Sequence, residues 1–305
     1  MKIAVVGAGA MGSLFGALLA EAGEDVWLVD IWREHVEAIQ SGGLTVESGG
    51  SRRKVGLKAT LDPGAAAGAQ LVVIFVKSTQ TAAAAATAAS LAGKSGCVLT
   101  LQNGMGNAET LAEAVPADRV VVGTTSHGAT LLGPGRIRHA GKGPTTIGPW
   151  SAEPKAGERA QKIAETLTGA AIDAEVVEKV LPILWNKLIV NVGINAITAL
   201  TGIQNGQLLD LDITRDLSRS AVAEAVSTAR AQDIAVREKA VSHVFDVAAA
   251  TAANRSSMGQ DIDNKRLTEI DAINGYVVRE ARRAGVAAPV NQTLTALVKT
   301  LEAHY

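Results

Sequence analysis

A glycine-rich loop lies at the start of the chain, between an apolar run and a helical pattern. The run Ile3–Val6 leads into Gly7-Ala8-Gly9-Ala10-Met11-Gly12, which has the spacing Gly-x-Gly-x-x-Gly. In a strand–turn–helix unit, the first glycine permits a tight turn and the second lets a pyrophosphate approach the backbone. The third lets the helix lie close to the sheet, and the helix N-terminus presents free N–H groups. This order predicts a dinucleotide-binding unit.

An acidic residue supplies the second half of the same fingerprint. The segment Asp25–Asp30 is typical of a second strand that ends in an acid. Asp30 lies at the distance expected for a carboxylate that accepts hydrogen bonds from the adenosine ribose hydroxyls. The alternative is a glycine-rich turn followed by an ordinary strand-end aspartate, and the presence of both halves argues against it.

The uncharged stretch from Ile3 to Ala20 has the hydropathy of a signal peptide or a membrane helix. Its glycines and its phosphate-loop spacing argue against both, as does Glu21-Ala22-Gly23-Glu24 directly after it. No other segment is a better membrane candidate. We therefore predict a cytoplasmic protein that does not bind membranes.

Composition narrows the range of partners and of redox chemistry. The 305 residues carry a net charge of -1 and only 3% aromatic residues, which disfavours nucleic-acid binding. The single cysteine, Cys97, excludes an intramolecular disulfide and falls in an apolar run typical of a buried strand. No metal site is predicted.

Strand and helix patterns alternate through the first half of the chain, and the pattern is helical from about residue 180 to the end. Helices are predicted at 10–22, 32–40, 79–91, 106–115 and 153–167. Strands are predicted at 71–76, 97–101, 119–123 and 174–177, with a hairpin at 44–46 and 54–57 and short strands at 129–132, 136–139 and 145–147. The pattern predicts an α/β, Rossmann-like, doubly wound parallel sheet with an antiparallel extension, followed by an all-α C-terminal domain. The predicted domains are 1–178, which binds the dinucleotide, and 179–305, which carries substrate and catalytic residues.

Three polar residues follow one face of an apolar predicted helix. Lys187, Asn191 and Asn195 are spaced i, i+4 and i+8, and almost all of their neighbours are apolar. The stripe faces either a satisfied polar network or a ligand cleft, and the lysine favours the cleft. Carbonyl reduction by a nicotinamide needs a proton donor for the developing alkoxide, and a partly buried lysine suits that task.

A second polar cluster spans 256–275. Its structural interpretation is a loop and then a helix, with Thr268 as N-cap and Asp271 as the acid of a capping box. In a functional interpretation, Ser257 binds a substrate carboxylate, and Glu269 reaches the ribose or the nicotinamide end of the cofactor.

These motifs, in this order, resemble the ketopantoate reductase (2-dehydropantoate 2-reductase) family over nearly the whole chain. The matching segments are Gly7–Gly12, Lys77, 103–106, 123–127, 184–188, Asn191, Asn195, 205–206, 256–258 and 268–275. The resemblance implies reduction of ketopantoate to (R)-pantoate by NAD(P)H, a step of pantothenate and coenzyme A biosynthesis.

The resemblance also implies a role for individual residues. Lys187 is the proton donor, and Asn103 contacts both cofactor and substrate. The other implied substrate-binding residues are Asn191, Asn195, Asn205 and Ser257, and the other implied cofactor-binding residues are Gly7–Gly12, Lys77, Ala129 and Glu269. His127 and His139 are left outside the catalytic set.

One residue departs from the family pattern. The family is typically associated with NADPH, yet Asp30 stands where a 2′-phosphate would lie, and a carboxylate there favours NADH. Arg33 is close enough in sequence to compensate. Two alternatives remain open: a D-2-hydroxyacid dehydrogenase acting on another branched or aromatic 2-oxo acid, and a non-catalytic nucleotide sensor. The partner is a small-molecule 2-oxo acid, and a homodimer is compatible with the sequence.

Overall fold

The computed structural model describes all residues from Met1 to Tyr305. The chain divides into two compact units. The first comprises Met1–Gln102 and Asn107–Val180, and the second comprises Asn103–Gly106 and Leu181–Tyr305. The second unit therefore includes a four-residue loop from the first half of the chain.

The first unit alternates strands with helices. Its strands are β1 (Lys2–Val6), β2 (Asp25–Val29), β3 (Leu44–Ser48), β4 (Ser51–Val55), β5 (Lys58–Thr60), β6 (Leu71–Ile74), β7 (Cys97–Thr100), β8 (Val120–Thr125), β9 (Gly128–Gly133), β10 (Arg136–Gly141), β11 (Thr145–Pro149) and β12 (Ala174–Val176). Its helices are α1 (Ala10–Glu21), α2 (Arg33–Gly42), α3 (Thr81–Ala92), α4 (Asn107–Ala114) and α5 (Pro154–Gly169).

Eight strands form the main sheet in the order β12-β11-β8-β7-β6-β1-β2-β5. The six from β8 to β5 pair in parallel, which confirms the doubly wound sheet. Every residue of β6 is buried, as a strand covered by helices on both faces requires. The sequence did not predict β5, a three-residue edge strand that pairs with β2.

The prediction that the strands at 129–132 and 136–139 extend the main sheet is wrong. β9 and β10 were expected to extend the main sheet, but they join β3 and β4 in a separate sheet of order β4-β3-β10-β9. Only β11 extends the main sheet in antiparallel fashion, along β8. The small sheet forms because Val46 and Ile137 are buried in the same apolar cluster as Phe15 of α1.

The two faces of the main sheet have separate apolar cores. On one face, strand residues such as Val5 and Leu28 share a cluster with Phe15 of α1 and Leu167 of α5. On the other face, strand residues share a cluster with apolar residues of α3 and α4. This two-sided burial fixes the strands, and hence the loops that follow their carboxyl ends.

The second unit is helical, as predicted. Its helices are α6 (Leu181–Thr201), α7 (Asp212–Arg230), α8 (Ala240–Ala250), α9 (Ser257–Asp263), α10 (Asn274–Arg283) and α11 (Pro289–Glu302). At Gly193 of α6, an added Cβ would lie within 2.8 Å of side-chain atoms of Val222 and Val244. The absence of a side chain there lets α7 and α8 pack closely on α6.

Residues 3–20 do not form a membrane-spanning helix, as expected, but the expectation that no other segment is a better membrane candidate is wrong. That stretch is divided between β1, a loop and the short helix α1. The only helix long and apolar enough to cross a membrane is α6, and 67% of its most apolar window is buried inside the protein. Burial of this kind is typical of the core helix of a globular domain.

Candidate active site

The glycine loop between β1 and α1 has the shape that its sequence predicts. Gly7 has a positive φ of 94°, and an added Cβ would lie 2.7 Å from the backbone nitrogen of Val76. An added Cβ at Gly12 would lie 1.9 Å from the carbonyl oxygen of Gly7, so only glycine lets α1 come this close. At Gly9, nothing lies within 4 Å of an added Cβ.

The start of α1 fits a dinucleotide pyrophosphate. Gly9 is the N-cap, no side chain caps the helix, and its first turn contains no acidic residue. The first N–H groups of a helix have no partner within the helix, and they attract an anion. The open space at Gly9 would let phosphate oxygens reach them, and Ala10, Met11 and Gly12 belong to this first turn.

Asp30 follows β2 and binds the glycine loop. Its Oδ2 accepts a hydrogen bond from the Ala8 nitrogen at 2.5 Å, and its Oδ1 accepts one from the Trp32 nitrogen at 2.9 Å. Arg33, which is close enough in sequence to offset this negative charge, lies 3.5 Å from Glu37 in an exposed ion pair. The carboxylate is therefore held beside the loop with no arginine bonded to it.

A buried glutamine joins the ends of β6 and β7, and sequence analysis missed its role. Gln102 Nε2 donates to the Val76 carbonyl and to Thr81 Oγ1, both at 2.8 Å. Thr81 Oγ1 donates in turn to Asn107 Oδ1 at 2.8 Å. This network fixes the backbone directly before Lys77, at the carboxyl end of β6. The only sequence signal was the position of Gln102 at a strand end.

The loop Asn103–Gly106 packs within the second unit. Gly104 has a φ of +76°, and an added Cβ would lie 2.6 Å from the Cβ of Ala272. The Met105 nitrogen donates to the Ala272 carbonyl at 2.8 Å. These contacts place the loop against a short 3₁₀ turn, Ile270–Ala272, that directly follows Glu269.

Lys187 lies on α6 and has a strongly shifted acidity. Burial lowers its pKa to about 8, and the Glu269 carboxylate opposes this with a smaller effect. Trp185 and Leu188 on the same helix are almost wholly buried. Asn191 and Asn195 follow at one-turn intervals, and Asn195 is buried. A lysine with this pKa can donate a proton near neutral pH.

Ser256 and Ser257 have different surroundings. Ser256 is buried, caps α9 by accepting from the Gly259 nitrogen at 3.1 Å, and lies 2.8 Å from Thr198 Oγ1 of α6. Ser257 is exposed as the first residue of α9. Arg255, which sequence analysis did not single out, donates to the Thr198 carbonyl and forms a two-point ion pair with Asp263. The segment is thus anchored to the end of α6.

The capping-box prediction for Thr268 and Asp271 is wrong. Thr268 Oγ1 accepts from the Ile270 nitrogen at 3.1 Å, but only the short 3₁₀ turn follows it. Asp271 instead forms an exposed ion pair with Lys299 at 2.9 Å. The helix α10 begins later, at Asn274.

Asn205 carries a buried oxygen that has no hydrogen-bond partner. Its Nδ2 donates to Thr251 Oγ1 at 2.9 Å, whereas its Oδ1 is fully buried and unsatisfied. Leaving a buried polar atom without a partner is costly, so such an atom is a candidate ligand contact.

Ala129 lies in β9, half-buried, opposite His139 of β10. His139 Nε2 lies 3.2 Å from His127 Nδ1. Burial lowers the pKa of both imidazoles below the usual range, so both are neutral near pH 7.

A dinucleotide loop with an acid at the end of β2, together with a half-buried lysine of lowered pKa, defines a nicotinamide-dependent oxidoreductase. Two family models match this chain: "Ketopantoate reductase PanE/ApbA" over residues 3–152 and its C-terminal counterpart over residues 179–302. The chain belongs to the ketopantoate reductase family.

Curated relatives agree over the full length. A 2-dehydropantoate 2-reductase of Halobacterium salinarum is 41% identical over 300 residues, covering 98% of both chains. One of Pyrococcus horikoshii is 38% identical and covers 99% of this chain and 98% of its own.

Two solved structures share the fold over the whole of this chain and 99% of their own. A PanE/ApbA family ketopantoate reductase from Ralstonia eutropha is 34% identical with a TM-score of 0.92. A D-mandelate dehydrogenase, in a ternary structure with NADH and anilino(oxo)acetate, is 30% identical with the same TM-score of 0.92.

Proposed function

We propose that this protein reduces a 2-oxo acid to the corresponding 2-hydroxy acid, with 2-dehydropantoate, reduced to (R)-pantoate, as the favoured substrate. The observation that carries the proposal is Lys187, whose pKa is lowered to about 8 on an apolar helix beside in-line asparagines. The names of the full-length relatives support the choice of substrate. A non-catalytic nucleotide sensor would have no need of this lysine.

In this proposal each unit has its own task. The first unit binds the cofactor through Gly7–Gly12, Asp30, Lys77 and Ala129. When bound, the reduced nicotinamide supplies the hydride. The second unit supplies Asn103, which contacts both ligands, and Glu269, which contacts the cofactor. Lys187 donates the proton to the carbonyl oxygen and stabilises its developing negative charge. The proposed substrate-binding residues are Asn191, Asn195, Asn205 and Ser257.

We propose NADH as the preferred cofactor. Asp30 is held beside the loop by two backbone N–H groups, and a 2′-phosphate next to this carboxylate would be repelled. The NADH bound in the related D-mandelate dehydrogenase supports the same choice.

The function is tested by following oxidation of the reduced cofactor spectrophotometrically with a panel of 2-oxo acids, using NADH and NADPH in parallel. The panel contains 2-dehydropantoate, branched-chain 2-oxo acids and phenylglyoxylate. The highest kcat/KM for 2-dehydropantoate supports the proposal. No turnover with any member contradicts it.

A D-2-hydroxyacid dehydrogenase acting on another branched or aromatic 2-oxo acid is the second candidate. The specific observations in its favour are Asp30 and the similarity to D-mandelate dehydrogenase. A clear preference for phenylglyoxylate or a branched 2-oxo acid over 2-dehydropantoate would select it.

We expect the rate of reduction at saturating substrate to fall as the pH rises through about 8, because Lys187 loses its donated proton there. The reverse oxidation should show the opposite dependence, since it needs the neutral amine. Glu269→Gln should move this limb to lower pH, because the carboxylate raises the pKa of Lys187. Profiles of kcat against pH in both directions measure the effect. An unchanged limb in Glu269→Gln would contradict the electrostatic link.

We expect Ser257→Ala to raise the KM for the 2-oxo acid while leaving the Kd for cofactor nearly unchanged, because the exposed hydroxyl is a plausible carboxylate donor. Glu269→Ala should weaken cofactor binding more than Ser257→Ala does. Calorimetric titration of cofactor and steady-state kinetics separate the two. Ser220→Ala, on the exposed surface of α7, is the control. Equal losses of cofactor and substrate affinity in Ser257→Ala would contradict the assignment of Ser257 to substrate binding.

A further inference from the structure

In the glycine loop, side chains bind both the backbone N–H and the backbone carbonyl of Ala8. The Ala8 nitrogen donates to Asp30, and the Ala8 carbonyl accepts from Ser13 Oγ at 2.7 Å. Ser13 lies on the first turns of α1 and is completely buried. The peptide groups around Ala8, which shape the approach to the open space at Gly9, are therefore fixed from two sides.

A buried histidine extends this chain of hydrogen bonds. His35 of α2 is wholly inaccessible to solvent, and its Nε2 lies 3.1 Å from Ser13 Oγ. Its Nδ1 lies 3.0 Å from the backbone nitrogen of Gly135. Because a backbone N–H can only donate, Nδ1 must be the acceptor, so Nε2 carries the proton and donates to Ser13. The serine hydroxyl then directs its own proton to Ala8.

The far end of the chain is a tight turn of the small sheet. Gly135 has a φ of +66°, and an added Cβ would lie 2.9 Å from Ala38 Cβ of α2. Its carbonyl accepts from the Thr45 nitrogen of β3 at 2.8 Å. The turn between β9 and β10 is thus attached to both α2 and β3.

The surroundings keep the imidazole neutral. Burial lowers the pKa of His35, and the Asp30 carboxylate and a hydrogen bond to the Ala8 backbone each oppose this more weakly. Trp32 stacks on the ring, with 5.1 Å between ring centroids and 8° between planes. A neutral imidazole with its proton on Nε2 is the form that the chain of hydrogen bonds needs.

We propose that His35 and Ser13 are positioning residues for the cofactor: the chain Gly135–His35–Ser13–Ala8 holds the glycine loop in the shape that accepts the pyrophosphate. Affinity for the dinucleotide then depends on the turn of the small sheet, which need not contact the cofactor. This inference rests on the proposed cofactor site.

Ser13→Ala breaks the chain at the hydroxyl and removes a hydrogen-bond partner from both the Ala8 carbonyl and His35 Nε2. We expect the Kd for NADH to rise about 5- to 30-fold, in line with the cost of unsatisfied buried groups. Turnover at saturating NADH should stay within about 2-fold, because Ser13 acts through the loop and not on the carbonyl.

Ser218→Ala is the matched control. Ser218 is also a buried serine that donates to a backbone carbonyl, that of Gly193 at 2.8 Å, but it lies in the helical unit. We expect it to lower the Tm as Ser13→Ala does and to leave the Kd for NADH unchanged. Equal Kd values for Ser13→Ala and Ser218→Ala would reduce Ser13 to a stability role and overturn the inference.

Two substitutions of His35 separate its two links. A Gln amide can place a donor near the former Nε2 and keep the bond to Ser13, whereas an Asn amide can keep only an acceptor for Gly135. We therefore expect His35→Gln to bind NADH more tightly than His35→Asn. His304→Gln, at the exposed C-terminal end, should match wild type. The reverse order of Gln and Asn would contradict the proposed direction of the chain.

Fluorescence titration of the folded proteins with NADH gives all of these Kd values. If Ser13→Ala does not fold, the comparison of His35→Gln with His35→Asn still tests the inference. Wild type that binds neither NADH nor NADPH would overturn the proposed function and this inference with it. Wild type that binds NADH while Ser13→Ala and His35→Asn bind it equally well would overturn this inference alone.

Discussion

Replacing Lys187 by alanine should lower kcat for 2-oxo acid reduction by about two to four orders of magnitude, the usual contribution of a positioned general acid. The carbonyl oxygen gains negative charge as hydride arrives, and Lys187 is the group proposed to neutralise it. Its pKa, lowered by burial to about 8, is close to the working pH, where proton donation is most effective. Steady-state kinetics at saturating cofactor and substrate measure the loss.

Two further variants test whether proton transfer by Lys187 accounts for this loss. Lys187→Arg keeps the positive charge but gives up its proton only at very high pH, so it should remain slow if proton transfer is the main contribution. Lys179→Ala removes an exposed lysine just before α6 and should retain wild-type kcat. Near-normal turnover in a folded Lys187→Ala protein would remove the lysine from its assigned role.

Replacing Asp30 by serine together with Ile31→Arg should shift the ratio of kcat/KM for NADH to that for NADPH by roughly 10- to 100-fold towards NADPH. That range corresponds to gaining or losing one charge-assisted hydrogen bond. Ile31 is 86% exposed, so an arginine is accommodated there without repacking. Serine removes the charge that would repel a 2′-phosphate, and the arginine supplies a partner for it.

The control for this change is Asp30→Asn, because Asp30 also anchors the loop through the Ala8 nitrogen. Asparagine keeps an acceptor for that N–H but loses the negative charge. Asp30→Asn should therefore weaken discrimination against NADPH. It should preserve affinity for the dinucleotide better than Asp30→Ala does. A wild-type protein that already prefers NADPH strongly would show that Asp30 does not set the preference.

Several features were predictable because they depend on short stretches of sequence. The glycine loop needs only the right residues in consecutive positions, and Gly7 and Gly12 lie where close backbone contacts exclude side chains. The continuous apolar run at 71–76 is enough to predict a strand buried on both faces, and β6 is observed at Leu71–Ile74. Helical periodicity likewise placed Lys187, Asn191 and Asn195 at one-turn intervals on α6.

Other features depended on partners far away in the chain. The edge strand β5 has only three residues and exists because β2 offers it hydrogen bonds. The parallel pairing of β3 with β10 joins segments about ninety residues apart, and no local pattern distinguishes it from an extension of the main sheet. The sequence predicted a capping box with Thr268 as N-cap and Asp271 as its acid. That prediction is wrong because Asp271 forms an ion pair with Lys299, which is distant in sequence.

The sequence by itself thus determined the chemical groups: the glycine loop, the acid that follows β2 and the lysine stripe of α6. Local backbone preferences and side-chain periodicity suffice for these. Only the tertiary structure decided how they are held, through Gln102 at the end of β6, Arg255 at the end of α6 and His35 behind the glycine loop. Each of these depends on hydrogen bonds between residues distant in sequence, and these bonds become strong and specific only when folding removes the competing water.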